Sequence, residues 1–426
     1  MSPPHPRRRA HASVPVLLSL LVLLTPSASR PQAVSAAPAS SAANRLPSEG
    51  RALWVVRTAL TSPQSVSRVV ALAKGSGFNT LIVQVRGRGD AYYLGGLEPR
   101  AESLARQPLG FDPLDQILRE GHAAGLQVHA WLNTFYLWSG DRPPQSPEHL
   151  LKRRPDWLLT DRAGEPVYRG GDDIEGAYLD PGHAEVRAFV HDVFLDVARR
   201  YPVDGIHFDF VRYPSRDLGF SDYDLAAFRQ TLEHSLSPLE LQALEACPDR
   251  LAAVKLYPAR WAQWRRDCVT DVVRSISHDV RSARPEAVIS ASTIAWGAFR
   301  GWEVSDAYSR VSQDWFGWLA DGLLDLAVPM TYHTDTTSYG SWIDAAVRAA
   351  GPRPLWAGVG AYLLSAGGTA EKIRRARQGG ARGFSLFSYD AVTRDGKDDA
   401  YLRSVNELVP PDDSARGPSS SAAPAQ

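Results

Sequence analysis

The segment richest in chemistry runs Asp204-Gly-Ile-His-Phe-Asp-Phe-Val-Arg-Tyr-Pro214. Side chains alternate along a strand, so Ile206, Phe208 and Phe210 share one face while His207 and Asp209 share the other. The apolar face suits packing under helices, which directs His207 and Asp209 to the opposite, inner side. A carboxylate there is costly to bury unless it is paired or used. Two uses fit Asp209: acid–base or nucleophilic work, or neutralisation of Arg212 or Arg86. The stretch TLIVQVR repeats the alternation and ends on Arg86, followed by Arg88 and Asp90. Those charges suit a cradle for hydroxyls or a carboxylate, and equally an internal salt-bridge network. Asn133 ends a third such run, where an amide can read hydroxyls. Trp296, Tyr332 and Tyr389 fall at later run ends, where flat aromatic faces can stack on ligand rings.

Eight short apolar runs must position these residues: 52–57, 80–86, 127–133, 205–213, 288–294, 323–332, 355–360 and 383–389. Between them, residues 65–75, 113–125, 185–200, 261–283 and 369–379 carry apolar positions at helical spacing. Strand–helix alternation implies a parallel sheet, because parallel strands need crossover connections. Eight units predict an α/β fold of the (β/α)8 TIM-barrel type, with a doubly wound open sheet as the runner-up. Long insertions follow the third and fourth strands, at 134–204 and 214–287. In a barrel, added length after a strand enlarges the face where active sites form.

Arg7, Arg8 and Arg9 precede the apolar run VPVLLSLLVLL (14–24) and a stretch of small residues. This order predicts a signal peptide over 1–30, an uncleaved anchor being the alternative. It implies a secreted or periplasmic protein with no membrane attachment after cleavage. The absence of Cys near the cleavage region argues against a lipoprotein anchor. A flexible linker is expected over 31–48, a barrel over 49–409 and a disordered tail over 410–426. Lys+Arg and Asp+Glu balance at 47 each, which argues against a nucleic-acid partner. The two cysteines, Cys247 and Cys268, both fall in the second long insertion; an oxidising compartment favours a disulfide between them, with two unpaired buried thiols as the alternative. Ser290 and Ser292 lie outside any G-x-S-x-G elbow, and no zinc-hydrolase spacing or phosphate loop is present. The sequence calls for no cofactor and no metal; it leaves the oligomeric state open.

At these residues the chain resembles the family-10 glycosyl-hydrolase-like group of bacterial barrels, which are secreted proteins or lipoproteins. The matching segments are RALWV (51–55), NTLIVQVRGRGDAY (79–92), DPLDQILREGHAAGLQVHAWLN (112–133), PDWL (155–158), LDPGHAEV (179–186), 204–214, WRRDC (264–268) and PMTY (329–332). The resemblance implies a barrel with its catalytic Asp at Asp209 and a glycan substrate, peptidoglycan strands for some relatives. Phe210 stands where the family often has a second Asp, and Met330 where it usually has Gln. The segment is also similar to the chitinase pattern, but Val211 occupies the position of the chitinase acid.

Taken together, these features predict a secreted glycoside hydrolase acting on a polysaccharide, with peptidoglycan strands as one candidate. Glycoside hydrolysis normally uses an acid for the leaving oxygen and a second carboxylate as nucleophile or base. Asp209 can be either. Asp90, Asp180, Glu303, Asp335 and Asp390 lie near run ends or loops, and Asp180 and Asp335 are the favoured partners. Asp180 has a competing use as a cap for the helix beginning near His183. Substrate contacts are expected from Arg86, Arg88, Asp90, Asn133, His207, Arg212, Trp296, Tyr332 and Tyr389. The alternative is a non-catalytic glycan-binding barrel. A second carboxylate facing Asp209 separates the two.

Overall fold

A computed structural model describes residues 45–171 and 174–411. The expected signal peptide, most of the linker and nearly all of the tail lie outside the described residues. Eight parallel strands form the central sheet: β1 (Gly50–Val55), β2 (Thr80–Arg86), β3 (Gln127–Asn133), β6 (Gly205–Asp209), β7 (Val288–Thr293), β8 (Leu326–Pro329), β9 (Ala357–Gly360) and β10 (Gly383–Phe387). The remaining strands, β4 (Tyr136–Trp138) and β5 (Ala177–Tyr178), pair antiparallel within the first insertion. The main sheet runs β8-β7-β6-β3-β2-β1-β10-β9. β9 then returns to β8 through parallel bridges Ala327↔Leu355 and Met330↔Gly358, with the Trp356 N–H donating to the Ala327 carbonyl at 3.1 Å. That closure makes a (β/α)8 TIM barrel and rules out the open sheet.

Strand alternation sorts the interior into two compartments. Leu53, Val83, Ala130, Ile206, Phe208, Ile289 and Val359 belong to the large core beneath the helices. Ala52, Trp54, Ile82, Trp131, Val288, Leu326, Val328 and Trp356 form a separate cluster on the other face, inside the barrel. Packing indoles into that narrow space requires missing side chains elsewhere. A Cβ at Gly50 would lie 2.0 Å from the Trp356 ring, and one at Gly205 2.7 Å from His129. Gly383 is less forgiving, because a Cβ there would meet Gly50 backbone atoms at 2.5–2.7 Å, and these cannot swing aside as a side chain can.

Several elements are shorter than their apolar runs. β6 stops at Asp209, because Phe210 adopts φ +47 and turns the chain. β10 stops at Phe387, and Tyr389 opens a short helix, Tyr389–Thr393. The second insertion folds into helices Asp222–Glu233, Pro238–Ala246 and Ala252–Leu256, which lead into the long helix Pro258–Ala283. Phe220, Phe228, Leu232, Leu244 and Trp261 give this insertion its own apolar cluster.

The expected disulfide is not formed: both cysteines are free. Cys268 is buried on the long helix, whereas Cys247 is exposed at the end of Pro238–Ala246. The bridge fails on placement, since one thiol faces the core and the other faces solvent. Denatured, unreduced protein should therefore titrate two thiols per chain, and one bridge (no free thiol) would contradict this fold. For the barrel base, Gly383→Ala should cost about 1–3 kcal/mol through overpacking against backbone that cannot swing aside. Equilibrium denaturation of the variant reads that loss directly.

Candidate active site

A cavity of about 350 Å³ opens at the C-terminal ends of the barrel strands. Every barrel strand except β9 contributes to it, through its last residues or the loop that follows. Trp54, Trp131, Tyr332 and Phe387 make an aromatic floor. Tyr332 and Phe387 stack at 5.5 Å, and Trp54 meets both edge-on at 6.0–6.4 Å. Arg57, Gln84, Asn133, Glu175, Asp209 and Arg212 supply the polar groups.

Asp209 is only 7 % exposed. Burial disfavours its charge and pushes the carboxyl up to about 7, against the opposing pull of the Phe210 N–H and Arg212. The Phe210 N–H donates to Asp209 Oδ1 at 2.7 Å, a bond made possible by the left-handed turn at Phe210. That conformation is strained for an aromatic residue. Phe210 is held in it by stacking on Tyr136 at 4.7 Å, and the Arg212 guanidinium lies 5.1 Å from its ring centre. Phe210 therefore shapes the turn that presents Asp209.

A second carboxylate lines the same cavity, and it is Glu175. Arg212 Nη2 donates to Glu175 Oε1 at 2.7 Å, and the Tyr178 hydroxyl donates to Oε2 at 2.6 Å. Burial opposes ionisation of Glu175, but Arg212 and Tyr178 overcome it and hold the carboxyl below its usual range. The β4–β5 ladder positions it, with Tyr136 opposite Tyr178. Gly176 lets the chain pass the Trp138 carbonyl, which a Cβ would meet at 2.1 Å. Thus one carboxyl is poised to carry a proton near neutrality while the other stays charged. A pair with its pKa values driven apart in this way suits acid and base roles.

Of the residues singled out from sequence, Asp209, Asn133, Arg212, Trp296 and Tyr332 line the cavity. Asn133 Oδ1 accepts from Trp131 Nε1 at 2.8 Å and from Gln84 Nε2 at 3.3 Å, while Asn133 Nδ2 donates to the Gly87 carbonyl. His207 is fully buried beneath the cavity, bonded to Ser290 and Ser292 at 2.8–2.9 Å. Burial holds it well below the usual histidine range, hence neutral. Because Ser292 does line the cavity, His207 positions a neighbour instead of meeting a ligand.

The other expected contacts are occupied elsewhere. Arg86 forms a fork to Glu98, at 2.6 Å through both Nε and Nη2, and donates to the Asn133 and Thr134 carbonyls. Arg88 lies over Trp138 and donates to the Ser139 carbonyl, while Asp90 accepts from the Arg88 N–H. Arg86 is thus taken up by a buried ion pair, and Arg88 and Asp90 by bonds within the loops around them. Tyr389 is buried on its short helix, leaving Phe387 as the β10 aromatic in the cavity.

Neither favoured carboxylate partner lies in the cavity. Asp180 is buried beside Asp224, and burial raises both carboxyls. Its Oδ1 accepts from Gly182 N–H at 2.9 Å, so it fixes the turn before helix Ala184–Arg200, whose cap residue is His183. Asp335 is exposed and caps helix Thr336–Ala350, accepting from Ser338 N–H at 2.7 Å. Glu175 escaped the sequence reading because nothing in its local pattern marks it. The one available signal was Arg212, a buried cation in need of a carboxylate.

Asp180→Asn should leave any turnover within about twofold, since it sits outside the cavity and an amide keeps its shape. Asp335→Ala should likewise spare turnover while costing about 1 kcal/mol from the lost cap. Loss of activity in either, with folding intact by circular dichroism, would return that residue to the site.

The family profile of glycosyl hydrolase-like 10 matches residues 49–353. Among curated relatives, the chain is 25 % identical over 272 residues to glycosyl hydrolase YngK of Bacillus subtilis, covering 60 % of this chain and 46 % of that protein. It is 26 % identical over 277 residues to glycosyl hydrolase DigH of Shigella flexneri, covering 60 % and 55 %. The chain thus spans about half the length of the curated relatives it matches. Among solved structures, the glycoside hydrolase domain of PgaB (BpsB) from Bordetella bronchiseptica superposes with a TM-score of 0.60 at 16 % identity, covering 84 % of this chain and 98 % of that one. The catalytic domain of a Paenibacillus polymyxa beta-amylase gives 0.61 at 12 % identity, covering 85 % and 98 %. These two likenesses establish a shared barrel fold. The profile match runs from β1 through helix Thr336–Ala350 and takes in both cavity carboxylates, and the chain belongs to the glycosyl hydrolase-like 10 family.

Proposed function

We propose that this protein hydrolyses glycosidic bonds in a polysaccharide outside the cytoplasm, with Asp209 as general acid and Glu175 as its ionised partner. The observation that carries the reading is the pair itself: a buried carboxyl at about 7 and a second held low, lining one aromatic-floored cavity. Asp209 would give its proton to the leaving oxygen as the bond to the anomeric carbon breaks. Glu175 would supply the negative charge that an oxocarbenium-like centre requires; water then bonds to the anomeric carbon through its oxygen and gives up a proton that restores the Asp209 acid. Arg212 keeps Glu175 ionised and in place. The aromatic floor offers flat apolar surfaces to the C–H faces of a pyranose.

Export rests on the basic and apolar pattern at the amino terminus. Peptide-free peptidoglycan strands are the first substrate to test, because the family resemblance points there. A non-catalytic glycan-binding barrel is the competing outcome, and Glu175 lowers its standing by filling the place of the missing carboxylate.

Two measurements test the assignment. Against a panel of defined glycans, kcat/KM should follow a bell with its alkaline limb near pH 7, where Asp209 loses its proton, and its acid limb below the usual Glu range. Asp209→Asn should lower turnover by about 10²- to 10⁴-fold. Its stability provides the independent check. A carboxyl whose pKa is raised on folding contributes stability below its unfolded value, and that contribution fades as pH rises through the folded value. Asp209→Asn should therefore melt at or above the parent temperature at about pH 8.5, since it removes a buried charge there. A well-folded Asn variant with near-parental turnover would sink the mechanism.

A further inference from the structure

A second cavity of about 290 Å³ adjoins the first. It shares Glu175, Arg212, Ile294 and Trp296 with the first cavity and adds Asp306 and Arg310. The Glu175–Arg212 ion pair therefore stands on the edge between two spaces, with no separate wall dividing them. Trp296 also belongs to both and is 40 % exposed, which is unusual for so large an apolar side chain. Asp306 and Arg310 lie on one turn, Asp306–Arg310, half-buried against the cavity. Among the described residues, neither side chain has a hydrogen-bond or ion-pair partner. An acceptor and a donor left open on a concave surface, beside an exposed indole, match the mixed polar and apolar faces of a sugar.

Cleavage of a glycosidic bond also demands two occupied places, because the bond joins two units; Asp209 lines the first place, and Glu175 lines both. We propose that the second cavity binds the sugar unit on the far side of the scissile bond. The chain then crosses the Glu175–Arg212 edge, with Arg310 and Asp306 holding its hydroxyl or charged substituents. This rests on the hydrolase reading, which supplies the scissile bond, but binding in the second cavity can be measured without turnover.

The test compares two substrates on full-length protein. A glycosyl fluoride needs only the first cavity, because its leaving group is a single atom. Peptide-free peptidoglycan strands or chitooligosaccharides span both. Arg310→Ala should lower kcat/KM on the oligosaccharide about tenfold more than on the fluoride, the usual scale for losing one well-placed polar contact. Asp306→Asn should show the same direction with a smaller ratio. Equal losses on both substrates, or none on the oligosaccharide, overturn the proposal. Calorimetric titration of the same oligosaccharides in an Asp209→Asn background separates this inference from the hydrolase reading. There, Arg310→Ala should weaken binding about tenfold, and unchanged affinity overturns the second site. Binding that depends on Arg310, together with no turnover of the same glycans by the parent protein, would retain the site and overturn hydrolysis alone. Failure of every glycan in the panel to bind overturns both.

Discussion

Asp209 carries an ionisable group into a place from which water is nearly excluded, and the site is arranged around the cost of doing so. Burial pushes the carboxyl towards neutrality. The Phe210 N–H and the Arg212 charge pull the other way, without bringing it back to the ordinary range. The outcome is a group that can hold or release a proton near neutral pH. Such a balance depends on rigid surroundings, because a small gain in hydration would restore an ordinary aspartate.

Arg212 serves both carboxyl groups unequally. Its direct bond goes to Glu175 at 2.7 Å, while its effect on Asp209 is through space only. One cation thus holds one carboxylate charged and leaves the other mostly to its buried setting. The left-handed turn at Phe210 lies between Asp209 and Arg212, where β6 ends. An aromatic side chain in that turn also closes one side of the cavity. Two carboxylates, Asp209 and Glu175, line that cavity.

Beneath the cavity, His207 and Asn133 are hydrogen-bonded within the barrel. His207 is neutral and bonded to two serines, and Trp54 Nε1 donates to its Nε2 at 3.3 Å. Asn133 gathers donors from Trp131 and Gln84. These bonds fix the indole and amide faces that form the floor and leave few rotamers for rearrangement. The Arg86–Glu98 fork does the same for the β2 end, where the Arg86 and Glu98 side chains are at most 1 % exposed. Buried ion pairs contribute little net stability but specify geometry where every partner is satisfied.

Local pattern was enough to identify the barrel and its inward-facing Asp209. Periodicity of two marks strands, periodicity near 3.6 marks helices, and alternation along 205–209 decides which side chains face inward. These are short-range properties, so they survive without knowledge of what packs where. The run ends were less legible: Tyr389 and the residues beyond Asp209 continue an apolar pattern after the strand geometry has stopped. Choosing among carboxylates lay beyond sequence altogether. Glu175 reaches the cavity only because β4 pairs with β5 and Arg212 lies across from it, contacts separated by 37 residues or more. Asp180, equally acidic and five residues on, turns the other way to share a buried site with Asp224. Likewise Arg86 was visible as a charge at a strand end, but Glu98 claimed it. Partner selection for a buried charge is a long-range matter of geometry and desolvation, and only the tertiary structure decided it.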